Sequence, residues 1–450
     1  MDLIGLLPDF GNLLYTIAAF VVALSIIVTV HEFGHYIVGR WSGIRSEVFS
    51  IGFGPRLFSR VDRHGTRWQV ALLPLGGYVK FLGDANAASA KADEAEMAAL
   101  SPEDRRHTMH GAPLWARAAT VAAGPVFNFI LALAIFTGVF LYSGTATDRP
   151  EVGSLFDLPG GSGAVMVGDR ILAVEGMPTP DYEALDQAMR SLPPAPLFDY
   201  LVERAGQQIT VPGPVLYPAR LAGIGAGSAA MDAGLKAGDV LVRAEGKPIY
   251  GFVELQNAVG ASGGQPMTLE IWRPGMAADE TMTVTLTPRS TDLPLRDGGF
   301  ETRFLMGANG NFFFAPQTRP TGLLEAAGDA VGEVRFIIVS SLSGLWNMIT
   351  GAISSCNLRG PLGIAETSAA AASTGAGNFI WFIAVLSTAV GLLNLFPIPV
   401  LDGGHLVFHA WEAVTGKPPS DRVLNALMTV GLALILMLMA FGLSNDLFCP

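Results

Sequence analysis

The sequence predicts a multi-span α-helical membrane protein with four transmembrane helices, a membrane-associated β-hairpin and two α+β domains outside the bilayer. Half of the 450 residues are hydrophobic and only 15% are charged, a composition too apolar for an ordinary soluble protein. Four segments are apolar over about the 20 residues that one helical crossing needs. Between the second and the third, a block of sequence recurs at an offset of 70 residues, which indicates two copies of one folded unit.

The four apolar segments define the predicted membrane helices. No Lys or Arg precedes the first segment, so we expect a retained span and not a cleaved signal peptide, which would begin with a basic region. Gly124 and Pro125 lie in the second segment, and membrane helices tolerate both. The predicted helices are residues 1–40, 116–143, 379–412 with a polar continuation, and 423–443.

Charge predicts the orientation. The loop from Arg40 to Arg117 holds 11 basic and 8 acidic residues, a net charge of +3, whereas residues 148–329 hold 13 basic and 22 acidic residues, a net charge of −9. Basic residues near span ends stay in the cytoplasm. We therefore expect residues 41–115 inside the cell, and both termini and the acidic middle region outside it.

The overall charge and the cysteines exclude other classes of protein. The net charge of −11 argues against a nucleic-acid partner. Cys356 and Cys449 are the two cysteines and form no C-x-x-C pair, so neither a cysteine zinc site nor a disulfide framework is expected.

The cytoplasmic loop contains a strand-like stretch at residues 68–79, bounded by Gly and Pro. It predicts a β-hairpin that enters the membrane beside the first helix. Open sheet edges are not tolerated in lipid, so protein or a cavity must cover it. A peripheral cytoplasmic hairpin is the alternative. Residues 85–99 are rich in Ala and charge and are expected to form a surface segment.

The outer region contains the repeat. Gly168-Asp169 recurs as Gly238-Asp239, and Glu175-Gly176 as Glu245-Gly246. The units at residues 144–217 and 218–290 resemble PDZ domains, which bind an extended peptide at a sheet edge. Two roles stay open for the PDZ pair: peptide capture, or a purely steric one. Residues 291–378 form an outer connecting region whose amphipathic part either lies on the membrane surface or packs on these domains.

The chemistry begins with an H-E-x-x-H motif at the end of the first apolar run. His31 and His35 are spaced by four residues, so both imidazoles lie on one helical face and can bind one zinc ion. Glu32 can take a proton from a zinc-bound water. Ionisable residues are costly inside a membrane and usually mark function.

A third zinc ligand is expected because catalytic zinc usually has three protein ligands and a water. Asp402 lies at the end of the third apolar span, before two glycines, and Pro397 and Pro399 should unwind the helix before it. His31 and Asp402 would both fall in the inner half of the bilayer, because the first and third spans run in the same direction. His405 and His409 follow closely; we expect them beside the ligands or at the cytoplasmic face.

Taken together, these motifs resemble the site-2 protease family of intramembrane zinc metalloproteases over essentially the whole chain. The shared segments are His31–His35, the Gly124-Pro125 and Asn128 stretch, the glycines before Tyr78, the 360–364 segment, and residues 394–403.

The resemblance implies a fold, a chemistry and a location. The fold is four spans with two PDZ domains, in a bacterial inner membrane. Its implied substrates are single-span proteins of the anti-sigma-factor type after a prior cut, and remnant signal peptides. Zinc would be bound by His31, His35 and Asp402, with Glu32 as general base. The substrate would contact Asn394, Pro397, Pro399, Gly76, Gly77 and Tyr78.

Other readings of the chain remain open at this point. Asn394 would otherwise make a helix-packing hydrogen bond. The chain could be a soluble-type zinc protease tethered to the membrane, but both halves of its site lie in apolar spans. It could be a catalytically silent scaffold that presents PDZ domains, but a scaffold has no need for a glutamate between two buried histidines. A zinc transporter would need a polar path across the membrane, and none is apparent.

Overall fold

The computed structural model describes residues 10–84, 94–225, 227–294 and 300–448. They divide into two compact units. One, the helical unit, contains the described residues up to Val139 together with Leu323–Trp346 and those from Leu358 onward. The other, the repeat unit, is Phe140–Gly322 with Asn347–Asn357. Most of the predicted Ala-rich surface segment, at residues 85–93, lies outside the described residues.

The helical unit begins with a long helix, a pair of strands and a second long helix. The elements are α1 (Phe10–Trp41), β1 (Ser46–Val61), β2 (Arg67–Phe81), α2 (Glu94–Ala99), α3 (Pro102–Arg105) and α4 (Leu114–Ser143).

The strands β1 and β2 form an antiparallel hairpin that folds back on itself. Residues 46–51 pair with residues 77–81 on one side and, from Val48, with residues 67–70 on the other. Gly52 and Gly54 have positive φ angles and allow β1 to bend there, so that its second half pairs with the start of β2. Among the described strands, residues 77–81 pair only with β1, so their other side is an open edge.

The repeat unit consists mainly of short strands. Its elements are β3 (Thr145–Ala146), β4 (Val152–Leu155), β5 (Arg170–Val174), β6 (Met177–Pro178), α5 (Tyr182–Ser191), β7 (Phe198–Arg204), β8 (Gln207–Gly213), β9 (Gly223–Ile224), α6 (Ala229–Asp232), β10 (Val240–Ala244), β11 (Lys247–Pro248), α7 (Phe252–Ala261), β12 (Met267–Trp272), β13 (Met282–Leu286), β14 (Arg289–Pro294), β15 (Phe300–Leu305), β16 (Ala308–Asn309), β17 (Phe314–Pro316) and β18 (Thr318–Arg319).

The two repeats share one topology. The first has a four-stranded sheet in the order β6-β5-β7-β8, and the second has the order β11-β10-β12-β13. A buried aspartate directly precedes β5 in the first repeat and β10 in the second. Its carboxylate is bound by an arginine at the end of β7 or just after β12. Asp169 pairs with Arg204 and Asp239 with Arg273, each through two contacts of 2.7 Å. These pairs explain the repeated Gly-Asp motif.

A segment far along the chain completes both repeats. β17 pairs with β4, and β16 pairs with β9. Phe313 and Phe314 are fully buried in the core of the first repeat. One edge of β4 and one edge of β9 are therefore occupied by the protein's own chain.

Apart from residues 347–357, which belong to the repeat unit, the remaining elements lie in the helical unit. They are α8 (Leu323–Ile349), a short 3₁₀ turn (Ser355–Asn357), α9 (Pro361–Ser373), α10 (Ala376–Asn394), α11 (Asp402–Thr415) and α12 (Asp421–Phe448). The amphipathic stretch is thus one continuous helix, α8. The predicted third membrane helix is two helices, because residues 395–401 interrupt it at Pro397 and Pro399.

Four described helices are long and apolar enough to cross a membrane: Leu13–Trp41, Leu114–Ser143, Ala376–Asn394 and Arg422–Phe448. They overlap the four predicted spans, although the third ends at Asn394, so the prediction of a membrane protein is confirmed. One expectation is wrong: Cys356 is disulfide-bonded, because residues distant in sequence can meet in the fold without any C-x-x-C spacing. The other cysteine, Cys449, lies outside the described residues.

Candidate active site

The buried face of α1 leads directly to the two histidines. Ala19, Ala23 and Ile27 are buried at a spacing of four residues, and His31 and His35 continue the same stripe. Ala23 and Ile27 pack against Ile383 of α10. Since helix packing in membranes favours small residues at the contact, this stripe turns both imidazoles toward the protein interior.

Two glycines allow α1 and α4 to approach closely at this level. A Cβ on Gly34 would lie 2.5 Å from the backbone oxygen of Ala123. A Cβ on Gly124 would lie 2.4 Å from His35 Nε2 and 2.7 Å from His31 Cε1. The space beside the imidazole rings exists because position 124 carries no side chain.

Asp402 reaches the histidines from the first residue of α11. Gly403 and Gly404 follow, and a Cβ on either would lie 2.3 Å from a backbone oxygen of the preceding loop. The absence of side chains at these two positions therefore lets the loop pack closely against the start of α11. The carboxylate of Asp402 lies 3.1 Å from His31 Nε2 and 3.6 Å from His35 Nε2, and the two Nε2 atoms are 3.2 Å apart.

This donor set fits a zinc ion. Ligand atoms about 2.0–2.1 Å from a tetrahedral zinc are separated from one another by about 3.3–3.4 Å, and the three observed separations bracket that value. Asp402 Oδ2 is buried and has no hydrogen-bond partner in the described parts of the chain. His35 Nδ1 lies 2.8 Å from the backbone oxygen of Thr120, an acceptor, so Nδ1 carries the proton and Nε2 presents a lone pair. Converging lone pairs of this kind call for a cation.

A cavity of about 360 Å³ opens beside these three residues. Glu32 and Asn394 line it, together with His405 and His409 of α11. The side-chain amide of Asn394 donates to the backbone oxygen of Val390, 3.1 Å away in its own helix, so this hydrogen bond does not join two helices. The cavity brings Glu32 and the candidate ligands to one space that water can enter.

The other predicted substrate residues lie around this cavity or behind it. A Cβ on Gly77 would lie 3.4 Å from Glu32 Cγ, so the segment of β2 that has the open edge passes beside Glu32. Gly76 faces Phe53, and the Tyr78 hydroxyl accepts a hydrogen bond from Gln69. Pro399 packs against Gly431 of α12. Neither Pro397 nor Pro399 lines the cavity.

Sequence reasoning assigned no role to several residues that shape the site. Thr120 and Asn128 of α4 contact the Nδ1 atoms of His35 and His31. Arg117 makes a bidentate ion pair with Glu412, at 2.6 and 3.0 Å, and joins α4 to α11. The stretch with Gly124, Pro125 and Asn128 contributed to the resemblance to the site-2 protease family. The role of each of these residues depends on which residues of α1 it contacts.

The chain matches the family model described as peptidase family M50 over residues 19–438. The chain belongs to this family. It is similar to a protein of Rhizobium meliloti named as a candidate zinc metalloprotease, at 38% identity over 97% of both chains. It is also similar to the regulator of sigma-E protease RseP of Salmonella typhimurium, at 35% identity over 97% of this chain and 99% of that one. The protein is a metalloprotease that uses zinc.

Replacing Gly124 by alanine is expected to lower the rate of cleavage by about 10²-fold and to reduce the zinc content of the purified protein. The added Cβ must displace an imidazole ring, given its 2.4 Å distance from His35 Nε2. Metal analysis and a cleavage assay measure both effects. Gly138→Ala in the same helix is the matched control, because a Cβ there meets nothing within 4 Å. A Gly124→Ala protein with normal zinc and normal activity would show that the glycine is not needed.

Proposed function

We propose that the protein is an intramembrane zinc metalloendopeptidase that cleaves single-span membrane proteins within the bilayer. His31, His35 and Asp402 hold the zinc, and Glu32 is the general base. One observation carries the proposal: three potential ligand atoms, the Nε2 atoms of His31 and His35 and Oδ2 of Asp402, converge 3.1–3.6 Å apart at the end of an apolar helix. A catalytically silent scaffold leaves this arrangement and the neighbouring Glu32 without a purpose.

The mechanism divides the work between the metal and the chain. Bound zinc supplies Lewis acidity toward water and the scissile carbonyl. Glu32 takes a proton from the attacking water and returns it to the leaving amine. The backbone oxygen of Thr120 keeps the His35 ring in one orientation through its Nδ1 atom. The walls of the cavity admit water to a site placed among apolar helices.

The substrate binds as an extended strand. A helical peptide bond is shielded by its own hydrogen bonding, so the substrate span must unwind before water can attack. Residues 77–81 offer an open strand edge beside Glu32, and strand addition at such an edge supplies backbone hydrogen bonds. Asn394 lies on the lining of the same cavity and bonds the substrate backbone there; Pro397 and Pro399 keep the segment after it unwound.

The protein lies in the bacterial inner membrane with both termini and the repeat unit on the periplasmic side. The charge asymmetry of the loops supports this orientation. The disulfide at Cys356 also supports it, because disulfides persist in oxidising compartments such as the periplasm. The relative named regulator of sigma-E protease supports anti-sigma-factor-type substrates, cut first by another protease, and remnant signal peptides are a second class.

The repeats are PDZ domains that act as a size filter. They would collide with a bulky outer domain of an uncut substrate, whereas a trimmed substrate passes. The alternative role is capture of a newly exposed C-terminus at a strand edge. One edge of each of β4 and β9 is already paired, with β17 and β16 respectively, and Phe313 and Phe314 anchor that segment in the core, which leaves fewer edges for an added peptide strand. This pairing favours the filter.

Co-expression with a panel of tagged single-span proteins tests the proposed activity. Each substrate is made with a bulky outer domain and with a short outer stub. We expect the wild-type protein to cleave the short-stub forms and the Glu32→Gln protein to cleave none. Identical patterns for the two proteins across the whole panel would support a silent scaffold.

Excision of the repeats should release cleavage of untrimmed substrates. The structure offers a defined boundary, because Ala146 pairs with Thr318 and Thr145 with Arg319. Residues 147–317 can be replaced by an Asn-Gly turn that joins the two paired strands. This excision also removes Phe313 and Phe314, whose side chains would be exposed if the rest of the first repeat were deleted without them. We expect bulky and short-stub substrates to be cut at similar rates.

The capture model predicts the opposite result for the same excision. If the repeats must bind a substrate terminus, the excised protein cleaves neither form, although it folds and binds zinc. That outcome would overturn the filter. The same excision in a Glu32→Gln background serves as the control and should remain inactive on both substrates.

A further inference from the structure

Asn128 of α4 is a fully buried polar residue beside a candidate zinc ligand. Its Nδ2 atom lies 3.2 Å from His31 Nδ1. Its Oδ1 atom is buried and has no hydrogen-bond partner among the described residues. Leaving a buried acceptor unpaired costs free energy, so this amide has a hydrogen-bonding capacity that its present orientation does not use.

The surroundings hold Asn128 firmly in place. Its backbone oxygen accepts a hydrogen bond from the Ser387 hydroxyl of α10 at 2.9 Å. The same helix approaches through Gly391, where a Cβ would lie 3.2 Å from Asn128 Cβ. The amide can still rotate by 180° about its terminal bond, which exchanges Oδ1 and Nδ2 with little change in shape.

The two histidines differ in what lies beside their Nδ1 atoms. His35 Nδ1 faces a backbone oxygen, which accepts only, so the Nε2 of His35 presents a lone pair to the site. His31 presents Nε2 to the same site at 3.2 Å. A neutral His31 can offer a lone pair there only if its proton is on Nδ1. Its neighbour at Nδ1 must then be an acceptor, and the rotation of the Asn128 amide by 180° brings Oδ1 to the place that Nδ2 holds, 3.2 Å from His31 Nδ1.

We propose that Asn128 is a positioning residue for the metal site: its Oδ1 accepts the Nδ1–H of His31 and so fixes the tautomer that directs the Nε2 lone pair at zinc. Thr120 and Asn128, two turns apart on α4, thus perform the same task for the two histidines, one through its backbone and one through its side chain. The inference rests on the proposed zinc-binding role of His31. Hydrogen bonds to ligand histidines of this kind orient the ring and raise its basicity.

Substitutions that separate acceptor from donor test the proposal on the full-length protein in detergent. Asn128→Asp keeps acceptor oxygens and removes the amide donor. Asn128→Leu has a similar size and neither function. Zinc affinity is measured by competition with a chelator, and the visible absorption of Co²⁺-substituted protein reports the geometry of the site. Ser387→Ala is the control, because it removes the bond to the Asn128 backbone and leaves the amide untouched.

We expect Asn128→Leu to weaken zinc binding about 10–100-fold and to alter the Co²⁺ spectrum. Asn128→Asp and Ser387→Ala should stay within a few-fold of wild type by the chelator measurement. Loss of affinity in Asn128→Asp to the level of Asn128→Leu would overturn the proposal, because it would mean that the donor matters. Wild-type affinity in Asn128→Leu would overturn it as well.

Asn128→Asp and His31→Ala keep the test conclusive if one variant fails. If Asn128→Leu does not fold, Asn128→Asp alone decides between acceptor and donor. A failure of the proposed zinc-binding role of His31 gives a different result. In that case His31→Ala would have the same zinc affinity as the wild-type protein, whatever the substitutions at position 128 do.

Discussion

Substitution of Glu32 by glutamine is expected to reduce cleavage by about 10²–10⁴-fold, the range that general acid–base catalysis contributes, while the zinc content stays at the wild-type level. Glutamine preserves size and polarity but cannot accept the proton of water. Glu32 lines the active-site cavity, and it is not among the three residues whose ligand atoms converge. The measurement is the rate of cleavage of a short-stub substrate together with zinc per mole of protein.

A matched control separates this effect from a general loss of charge. Glu103→Gln changes an exposed glutamate of α3 and should leave both quantities unchanged. Substantial cleavage by Glu32→Gln would remove Glu32 from the role of general base. Loss of zinc in Glu32→Gln would instead indicate that Glu32 contributes to metal binding.

Substitution of Asp402 by alanine is expected to abolish both zinc binding and cleavage. Two histidines four residues apart would remain, one ligand fewer than catalytic zinc sites usually have. The buried Oδ2 atom of Asp402 is the atom whose removal matters, since it has no hydrogen-bond partner among the residues that the structure describes. Zinc content after purification and chelator competition measure the loss.

Asn394→Ala is the informative comparison for Asp402→Ala. Asn394 lines the same cavity, but it is not one of the three converging residues. The Asn394→Ala protein should therefore keep its zinc and have a higher KM for substrate. Stoichiometric zinc in Asp402→Ala would mean that another residue supplies the third ligand.

The local features of the fold were predictable because they depend on short-range patterns. The apolar runs predict the four long helices, since the number of residues per crossing follows from the helical rise. The spacing of His31 and His35 predicts that they share one face of α1. Pro397 and Pro399 predict a break before Asp402, and α10 does end at Asn394. The offset of 70 residues predicts two units, and both have the same strand order.

Features that depend on distant parts of the chain were not predictable. The pairing of β17 with β4 joins residues about 160 positions apart, and no local pattern in strands of three or four residues specifies such a partner. Asn128 looks like one of many polar residues in an apolar helix until α1 is placed beside it. The disulfide of Cys356 and the helix α9 likewise follow from tertiary packing and not from spacing along the sequence.

The site combines both kinds of information. The motif on α1 supplies two candidate ligands and a candidate base within five residues. The distance of Asp402 from the histidines depends on the tight loop that Gly403 and Gly404 allow, and the space beside the imidazoles depends on Gly124. Glycines carry no chemistry of their own, so a search for reactive side chains passes over the residues that shape this site.

Mapping the cleavage site tests the central claim most directly. The purified protein is incubated in liposomes with a single-span substrate, and the products are identified by mass spectrometry, with and without a chelator and with Glu32→Gln in parallel. We predict a cut inside the apolar span of the substrate that is lost with the chelator, restored by zinc and absent in Glu32→Gln. A cut confined to a water-exposed loop, or one that persists in Glu32→Gln, would contradict an intramembrane protease built on this site.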